Sequence, residues 1–326
     1  MHYFITGGTG SFGHAMVLRL LSEPDIERIT VFSRDEDKQE QMHRSLGNDR
    51  LHFVVGDIRD YDAVCRAMDG VDAVFHAAAL KQVPSCEANP MEAIRTNLLG
   101  SDNVFRAAEH CHVQVVVALS TDKACYPINT MGMCKALMEK LMLNYARRRV
   151  RNYDGTIFCA TRYGNVAGSR GSVIPLFIDN LKRGKPLQIT DPTMTRFLLS
   201  MDDALNLVVH ALTHAEPGCI YVLKAPATTV AALGEAVCNL FGAPYNPEII
   251  GVRPGEKRDE TLVTKEEMQR VIDDGDFYRI PPDIAGGLYN DAAEAFTSDT
   301  AFRLSVEQIM DKLSAMQFIQ EAQRAR

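Results

Sequence analysis

A short apolar strand, a glycine-rich loop and a helix open the sequence in that order, and this feature restricts the possible folds more than any other. Residues 3–6 have strand character, residues 7–13 spell GGTGSFG, and a helical pattern covers residues 14–21. Glycines let the backbone approach a pyrophosphate closely, while a helix N-terminus offers free N–H groups and a partial positive charge. A glycine-rich turn alone is often only a turn, but this order predicts a dinucleotide-binding fold. The residues expected to contact the dinucleotide here are Gly7, Thr9, Gly10, Ser11, Phe12 and Gly13.

Apolar segments and helical patterns alternate over the first half of the chain. The predicted strands are residues 29–33, 52–55, 73–76, 113–119 and 156–161, and the main predicted helices are residues 90–111 and 131–149. Such alternation is typical of a doubly wound parallel sheet in an α/β protein. Beyond residue 165 the alternation breaks down. We therefore expect a dinucleotide-binding domain over residues 1–165, to which later segments return, and a smaller, mainly substrate-binding domain over residues 166–326.

Residues 273–300 stand apart within the second half because they are rich in Asp, Gly and Pro and show little periodicity. We predict a loop or a latch-like strap there, since the segment lacks the apolar pattern needed for a core of its own. A last amphipathic helix is predicted at residues 305–316.

The end of the second predicted strand bears on the choice between NAD and NADP. Ser33 and Arg34 end the strand, and Lys38 follows nearby. An acidic residue at this position favours the ribose hydroxyls of NAD, whereas an arginine accommodates the additional phosphate of NADP. Because Arg34 comes first, we predict NADP. The alternative is a solvated turn, since residues 35–37 are all acidic.

Small and polar residues follow the third and fourth predicted strands. Asp57 can accept a hydrogen bond from an adenine amine or can cap a helix, and the sequence leaves both open. Small residues after the fourth strand allow the backbone to lie against a ribose and a nicotinamide. The residues expected at the cofactor here are Asp57, Ile58, Ala77, Ala78 and Ala79.

Lys81 and Asn97 are polar residues in apolar surroundings. A lysine at a strand end is costly unless it meets an anion or a hydroxylated ligand, so Lys81 is a candidate for both cofactor and substrate binding. Asn97 is assigned to the cofactor site as well. It either holds the surroundings of a catalytic lysine by hydrogen bonds or stabilises an irregular turn.

The most reactive stretch follows the apolar segment at residues 113–119. Thr121, Asp122 and Lys123 come directly after this predicted strand, and ligands of open α/β sheets bind beyond the carboxyl ends of the strands. Met131 and Lys135 lie four residues apart on the next predicted helix and project to the same side. These five residues are the catalytic candidates. The alternative for Asp122 and Lys123 is a surface ion pair.

Composition limits the classes of function. Charged residues make up 24% of the chain and the formal net charge is -7, which does not indicate a nucleic-acid-binding surface. The eight cysteines form no C-x-x-C pair, and we expect reduced core cysteines and no metal site. No apolar run approaches the length of about 20 residues that spans a bilayer. We therefore expect a cytoplasmic protein without a membrane span.

Several motifs together resemble those of the extended short-chain dehydrogenase/reductases that dehydrate UDP-N-acetylglucosamine. The motifs are TGGTGSFG at residues 6–13, FSRDE at 32–36, HAAALKQVP at 76–84, STDKA at 120–124 and RYGNV at 162–166. MGMCK at 131–135, TDPTMTRF at 190–197 and RPGEK at 253–257 narrow the resemblance to the inverting 4,6-dehydratase/5-epimerases of capsule and O-antigen synthesis. In that branch a methionine also replaces the tyrosine of the usual Tyr-x-x-x-Lys motif.

The resemblance implies a Rossmann fold and a defined chemistry. A hydride passes from carbon 4 of the sugar to NADP, a base removes the proton on carbon 5, water leaves from carbon 6, and the hydride returns to carbon 6. By resemblance, Asp122 is the acid, Lys123 the base with a pKa near neutral, Lys135 the ribose ligand, and Thr121 the contact to the carbon 4 hydroxyl. The residues implied in the UDP-sugar pocket are Lys81, Thr121, Arg162, Asn165, Arg170, Ser172, Val173, Arg196, Arg253 and Glu256.

The resemblance also implies a homo-oligomer, because the segment that corresponds to residues 273–300 crosses to a neighbouring subunit in this family. Pro254, Arg258 and Asp259 depart from the family pattern. Two other functions fit the motifs. One is a UDP-hexose 4-epimerase, which shares fold and substrate class but normally uses the tyrosine as its base. The other is a catalytically silent NADP-binding regulator, in which Asp122 and Lys123 would have no purpose.

Overall fold

The computed structural model describes residues 1–152, 155–169, 171–282 and 292–324, with α-helices and β-strands that follow the predicted order. The strands are β1 His2–Thr6, β2 Arg28–Ser33, β3 Leu51–Val55, β4 Ala73–His76, β5 Val115–Leu119, β6 Ile157–Arg162, β7 Asn165–Val166, β8 Gln188–Ile189, β9 Thr195–Leu199, β10 Ile220–Leu223, β11 Ala227–Thr229, β12 Glu248–Ile249, β13 Thr261–Val263, β14 Ile272–Asp274, β15 Phe277–Ile280 and β16 Phe296–Thr297. The helices are α1 Ser11–Leu21, α2 Glu36–Leu46, α3 Tyr61–Ala67, α4 Val83–Ala88, α5 Pro90–Ala93, α6 Gly100–His110, α7 Thr130–Asn152, α8 Val173–Lys182, α9 Met201–Thr213, α10 Val230–Leu240, α11 Lys265–Met268, α12 Val306–Ser314 and α13 Gln317–Arg324.

The main sheet consists mostly of parallel strands, and β1 lies between β4 and β2. Within the described ranges it has nine strands in the order β14-β15-β10-β6-β5-β4-β1-β2-β3. β1 pairs in parallel with β2 and with β4, and β5 pairs in parallel with β4 and β6. Parallel pairing brings the carboxyl ends of these strands to one edge of the sheet, where the reactive residues follow them.

Both faces of the main sheet are buried, which explains the continuous apolar runs in its strands. Successive side chains of a strand point to opposite faces. Phe4 accordingly belongs to the apolar cluster that contains residues of α6 and α7, whereas Ile5 belongs to the cluster that contains residues of α1 and α9. The alternation of strand and helix thus produces the predicted doubly wound arrangement.

The predicted helix over residues 90–111 is interrupted. It consists of α5, a π-helical stretch at Ile94–Leu99, and α6. A π-helical stretch widens the turn and is frequent at functional sites. Asn97 lies in it and is completely buried.

The second half of the chain returns to the main sheet as well as forming its own layer. β10 pairs in parallel with β6, and β15 pairs antiparallel with β10. A separate apolar cluster is formed by residues of α8, α10, α12 and α13. The sequence expectation of a loop over residues 273–300 was wrong at both ends, because β14 and β15 extend the main sheet and β16 pairs with β13. Residues 283–291 of the predicted strap lie outside the described ranges.

The last predicted helix, residues 305–316, corresponds to α12 and is followed by α13. Across the described ranges, no helix combines the length and the apolar character that a bilayer crossing requires.

Candidate active site

A cavity of about 690 Å³ lies beyond the carboxyl ends of β1, β2, β4, β5 and β6. A second cavity of about 430 Å³ adjoins it, and the two share Asn165, Val166, Gly171 and Ser172. The predicted residues that line the main cavity are Gly7, Thr9, Gly10, Ser11, Phe12, Gly13, Ser33, Arg34, Lys38, Asp57, Ile58, Ala77, Ala78, Ala79, Lys81, Thr121, Asp122, Lys123, Met131, Lys135, Asn165 and Ser172.

The glycine loop is shaped for a close approach. The amide of Gly10 donates to the carbonyl of Gly7 at 2.9 Å, and α1 begins directly after it. A Cβ atom at Gly13 would lie 2.5 Å from the Cα of Gly8, so a side chain there would push the helix away from the loop. The residues present therefore fit the pyrophosphate of a dinucleotide.

Charged side chains surround the end of β2. Arg34 Nη1 lies 3.6 Å from Asp57 Oδ2, and Lys38 forms an ion pair with Asp35. Asp57 does not cap α3, because the side chain of Asp60 accepts the hydrogen bond at that helix N-terminus. Burial raises the pKa of Asp57, but hydrogen bonds from Arg59 outweigh this effect and lower it. The Asp57 carboxylate is thus charged at the cavity wall.

Asn97 acts on the loop after β4. Its Oδ1 accepts a hydrogen bond from the amide of Leu80 at 2.7 Å, and its Nδ2 donates to the carbonyl of Leu80 at 2.8 Å. Lys81 follows Leu80 and lines the main cavity, whereas Asn97 does not. The assignment of Asn97 to the cofactor site was wrong, because its side chain does not line the cavity. Through its two hydrogen bonds to Leu80, Asn97 instead fixes the loop that carries Lys81.

Thr121, Asp122 and Lys123 form a connected group at the end of β5. Thr121 Oγ1 donates to Asp122 Oδ1 at 2.8 Å, and Lys123 Nζ donates to the same oxygen at 3.1 Å. The Asp122 side chain is 1% exposed and that of Lys123 is 24% exposed, so this is not a surface ion pair. In the described part of the chain, Asp122 Oδ2 has no hydrogen-bond partner. A hydroxyl, a carboxylate and an ammonium group therefore lie in sequence along the cavity wall.

α7 approaches this group closely. A Cβ atom at Gly132 would lie 2.2 Å from the carbonyl oxygen of Lys123, so a glycine is needed for this contact. Met131 is buried against Cys86, Ala93 and Cys134 and lines the main cavity. Its thioether cannot exchange a proton, and the proton chemistry at this wall therefore falls to other residues.

Lys135 and Lys123 have opposite pKa shifts. Burial lowers the pKa of Lys135 to about 8, and its Nζ donates to the carbonyl of Leu119 at 2.8 Å. Burial also acts to lower the pKa of Lys123, but the carboxylates of Asp122 and Glu260 outweigh it and raise that pKa above the ordinary lysine value. The near-neutral pKa expected for Lys123 was therefore wrong: this side chain is a charged ammonium group here.

Glu260 is a site residue that sequence reasoning missed. Its Oε1 lies 3.1 Å from Lys123 Nζ and 4.0 Å from Arg196 Nε, and its side chain is 3% exposed. Burial, together with the charge of Asp122, raises the pKa of Glu260. Its position just after Arg258 and Asp259, which depart from the family pattern, was the available signal.

Arg162 is not among the residues that line either cavity. Its guanidinium donates to both oxygens of Glu139, at 2.8 and 2.6 Å, and to both oxygens of Glu267, at 2.7 and 2.8 Å. Glu139 also accepts from Ser120 Oγ at 2.5 Å. The Arg162 side chain is 5% exposed. The expectation that Arg162 contacts a sugar nucleotide was therefore wrong, because two carboxylates occupy its donors.

The second cavity collects the remaining polar candidates from distant parts of the chain. Asn165 Oδ1 and Ser172 Oγ are buried without a hydrogen-bond partner among the described residues. Arg196 donates to the carbonyls of Arg258 and Lys257 at 2.9 and 3.0 Å. The predicted residues that line this cavity are Asn165, Ser172, Val173, Arg196, Arg253 and Glu256. Arg170 lies outside the described residues.

The described ranges contain no cluster of three or more His, Cys, Asp or Glu side chains arranged to hold a metal ion.

Residues 3–282 match the family described as "Polysaccharide biosynthesis protein". The chain belongs to this family. Among its relatives, the UDP-glucose 4-epimerase of Rickettsia canadensis (strain McKiel) is 50% identical over 330 residues, which cover 97% of this chain and 96% of that protein. The UDP-glucose 4-epimerase of Rickettsia bellii (strain RML369-C) is 49% identical with the same coverage.

Solved structures share the architecture of this family member. Pen from Bacillus thuringiensis has a TM-score of 0.89 and 35% identity, covering 97% of this chain and 98% of that chain. DesIV, a dTDP-glucose 4,6-dehydratase from Streptomyces venezuelae with NAD and TYD bound, has a TM-score of 0.71 and 26% identity, covering 79% of this chain and 86% of that chain. The predicted parallel-sheet Rossmann-like fold of an extended short-chain dehydrogenase/reductase is confirmed.

Proposed function

We propose that the protein is an NADP-dependent UDP-N-acetylglucosamine 4,6-dehydratase that also inverts carbon 5. The product is a UDP-2-acetamido-2,6-dideoxy-4-keto-hexose for surface polysaccharide synthesis. One observation carries the proposal: the buried Asp122 and its partner Lys123 line the cavity beside Met131, at the position where a tyrosine would otherwise serve as base. The rest of the site is consistent with this chemistry.

The nicotinamide dinucleotide, when bound, supplies the hydride acceptor for carbon 4 and returns the hydride to carbon 6. The glycine loop would hold its pyrophosphate, and Lys135 on α7 would hold the nicotinamide ribose. A lysine with a pKa of about 8 is mostly charged at neutral pH and can donate to a ribose hydroxyl. We assign NADP from Arg34 and Lys38, which line the cavity at the end of β2. The DesIV structure was determined with NAD, so the choice between the two cofactors belongs to the proposal.

Thr121 and Asp122 replace the missing tyrosine in this scheme. As the hydride leaves carbon 4, the proton of the carbon 4 hydroxyl passes to Thr121 Oγ1. The former hydroxyl proton of Thr121 passes along the 2.8 Å hydrogen bond to Asp122. Asp122 is then a neutral acid beside the sugar. It gives that proton to the carbon 6 hydroxyl, which leaves as water.

Lys123 handles the proton on carbon 5. Lys123 is an ammonium group in the structure, so it must first give up one proton to solvent. The ketone at carbon 4 acidifies the carbon 5 proton, and the neutral amine of Lys123 then removes it as water leaves from carbon 6. After the hydride returns to carbon 6, the resulting ammonium group returns a proton to the same face of carbon 5 when the configuration is retained. When carbon 5 is inverted, the new proton comes from solvent on the opposite face and Lys123 releases its proton to solvent. The proton count balances, because the water carries the proton that Thr121 gave up on receiving the carbon 4 hydroxyl proton, and the carbon 5 proton is replaced.

The second cavity is assigned to the UDP-sugar. Arg196 and Arg253 supply positive charge for a diphosphate, and Arg offers a planar fork for phosphate oxygens. Asn165 Oδ1 and Ser172 Oγ, which have no hydrogen-bond partner in the described part of the chain, are polar atoms that a hydroxylated sugar would satisfy.

A UDP-hexose 4-epimerase is the second candidate, because the curated Rickettsia relatives carry that name. An epimerase only removes and returns a hydride at carbon 4, and it has no use for a base at carbon 5. The pairing of the buried Asp122 with Lys123 therefore favours the dehydratase. A catalytically silent regulator is disfavoured for the same reason.

Incubation of the protein with UDP-N-acetylglucosamine and mass spectrometry of the product distinguish these functions. The dehydratase gives a product lighter by one water, the epimerase gives an isomer of unchanged mass, and a silent regulator gives no product. An isomer or unchanged substrate would refute the proposal.

A Lys123→Met variant tests the residue assignment. It should lose dehydration while the dinucleotide remains bound, because Lys123 acts on carbon 5 of the sugar. Lys140→Met is the matched control, since Lys140 lies exposed on α7. Full activity of Lys123→Met would reject Lys123 as the base.

A further inference from the structure

A second carboxylate contacts the catalytic lysine from a distant part of the chain. Lys123 Nζ lies 3.1 Å from Glu260 Oε1 and 3.1 Å from Asp122 Oδ1. Asp122 lines the main cavity, whereas Glu260 is absent from the lining of both cavities and lies behind Lys123. One ammonium group is thus held between a carboxylate at the cavity and another in the protein interior.

Several hydrogen bonds fix the position of Glu260. Its amide donates to Ser298 Oγ at 2.9 Å, and the amide of Ser298 donates to the carbonyl of Glu260 at 2.8 Å. Ser298 Oγ also lies 2.6 Å from Thr195 Oγ1. Ser298 follows β16, the strand that ends the predicted strap, so the returning end of this segment holds Glu260 in place from the same chain.

The charges around Glu260 do not fully account for its burial. Arg196 Nε is 4.0 Å away and also contacts Glu256, while Lys257 donates to the carbonyl of Cys125 instead. The remaining oxygen, Glu260 Oε2, is buried without a hydrogen-bond partner among the described residues. A buried carboxylate with one lysine contact and one unsatisfied oxygen is costly, and such groups are retained most often for function.

We propose that Glu260 is a positioning residue for the catalytic pair: its carboxylate holds the Lys123 ammonium group toward Asp122 and controls when Lys123 gives up its proton. This inference rests on the proposed function of Lys123 as the base at carbon 5. The Asp122–Lys123 pair alone cannot both position the ammonium group and control the loss of its proton. While Asp122 and Glu260 are both charged, Lys123 stays an ammonium group. When Glu260 is neutral, Lys123 can lose its own proton.

The pKa directions agree with this role. The carboxylates of Asp122 and Glu260 outweigh burial and raise the pKa of Lys123, while burial and the Asp122 charge raise the pKa of Glu260. The titratable and charged groups that face Glu260 are Asp122, Lys123 and Arg196. A raised lysine pKa keeps the ammonium form up to a higher pH, so the base form should appear only in the alkaline range.

A Glu260→Gln variant removes the charge and keeps the size of the side chain. Loss of an opposite charge in hydrogen-bond contact should lower the pKa of Lys123 by about one to three units. The rising limb of kcat/KM for dehydration against pH should move to lower pH by the same amount. A merely structural role predicts a lower rate at every pH with an unmoved limb, and that result would overturn the proposal. Glu266→Gln, an exposed glutamate on α11, is the matched control and should leave the limb unchanged.

A direct titration separates this inference from the proposed function. The pH dependence of Lys123 acetylation by acetic anhydride, followed on the Lys123 peptide by mass spectrometry, reports its pKa without turnover. A shift to lower pH in Glu260→Gln supports the positioning role even if no dehydration is found. An unshifted titration in a folded Glu260→Gln protein overturns it even if dehydration is confirmed.

Discussion

Replacement of Arg162 by methionine should strongly lower the free energy of unfolding. Any effect on substrate binding should be secondary to this loss of stability. Arg162 lies between Glu139 and Glu267, and the three side chains are 5%, 6% and 14% exposed. Methionine fills much of the arginine volume but leaves two carboxylates unpaired in the interior. Removing one partner from a buried charged group costs about 3–5 kcal/mol in the free energy of unfolding. We expect a loss in that range for Arg162→Met.

Equilibrium unfolding in urea at neutral pH measures this loss. Arg44→Met is the matched control, because Arg44 forms an exposed ion pair with Glu40 at 2.6 Å on α2. Its unfolding free energy should stay close to that of the parent, since exposed ion pairs contribute little. If Arg162→Met instead keeps its stability and raises the KM for the UDP-sugar, the assignment of Arg162 as a structural residue is wrong.

The difference between parent and Arg162→Met should also depend on pH. Burial acts to raise the pKa of Glu267, but the hydrogen bonds and charge of Arg162 outweigh it and lower that pKa below the ordinary glutamate value. A lowered pKa contributes stability above the unfolded-state pKa, and this contribution is lost as the pH falls through the folded-state pKa. The stability gap should therefore narrow in acid. A gap that widens in acid would contradict the ion-pair assignment.

Two further substitutions and one measurement on the parent protein test other parts of the structure. Arg34→Ala should weaken NADP binding far more than NAD binding, as measured by calorimetric titration, and equal losses would contradict the assignment of NADP. Gly13→Ala should prevent cofactor binding in a protein that still folds, because its Cβ would lie 2.5 Å from the Cα of Gly8; retained cofactor in the purified variant would contradict the close approach. Light scattering of the parent should show a homo-oligomer at working concentration, and a monomer would refute that prediction.

Much of the fold could be predicted because the first half of the chain has short-range signals. The glycine loop, the apolar strands and the polar residues after them lie within a few positions of one another. Parallel pairing then brings Thr121, Asp122 and Lys123 to the edge where the glycine loop also ends. Local patterns of this kind determine which residues reach the cavity.

The contacts between distant residues could not be predicted from such patterns. Arg162 ends β6, where the sequence shows an arginine after an apolar strand, but its partners lie on α7 and α11. Glu260 resembles any acidic residue in a charged segment until Ser298 and Lys123 are placed beside it. The apolar segment at residues 277–280 is too short to predict a strand from sequence. It forms β15 because pairing with β10 supplies the stabilising contacts.

Mass spectrometry of the product formed in heavy water tests the central claim most directly. We expect UDP-N-acetylglucosamine to be converted to a keto sugar that has lost one water and carries deuterium at carbon 5, because the proton that carbon 5 receives comes from solvent or has exchanged with it. Lys123→Met should form no such product. A product of unchanged mass without deuterium at carbon 5 would contradict the account and would instead identify a 4-epimerase.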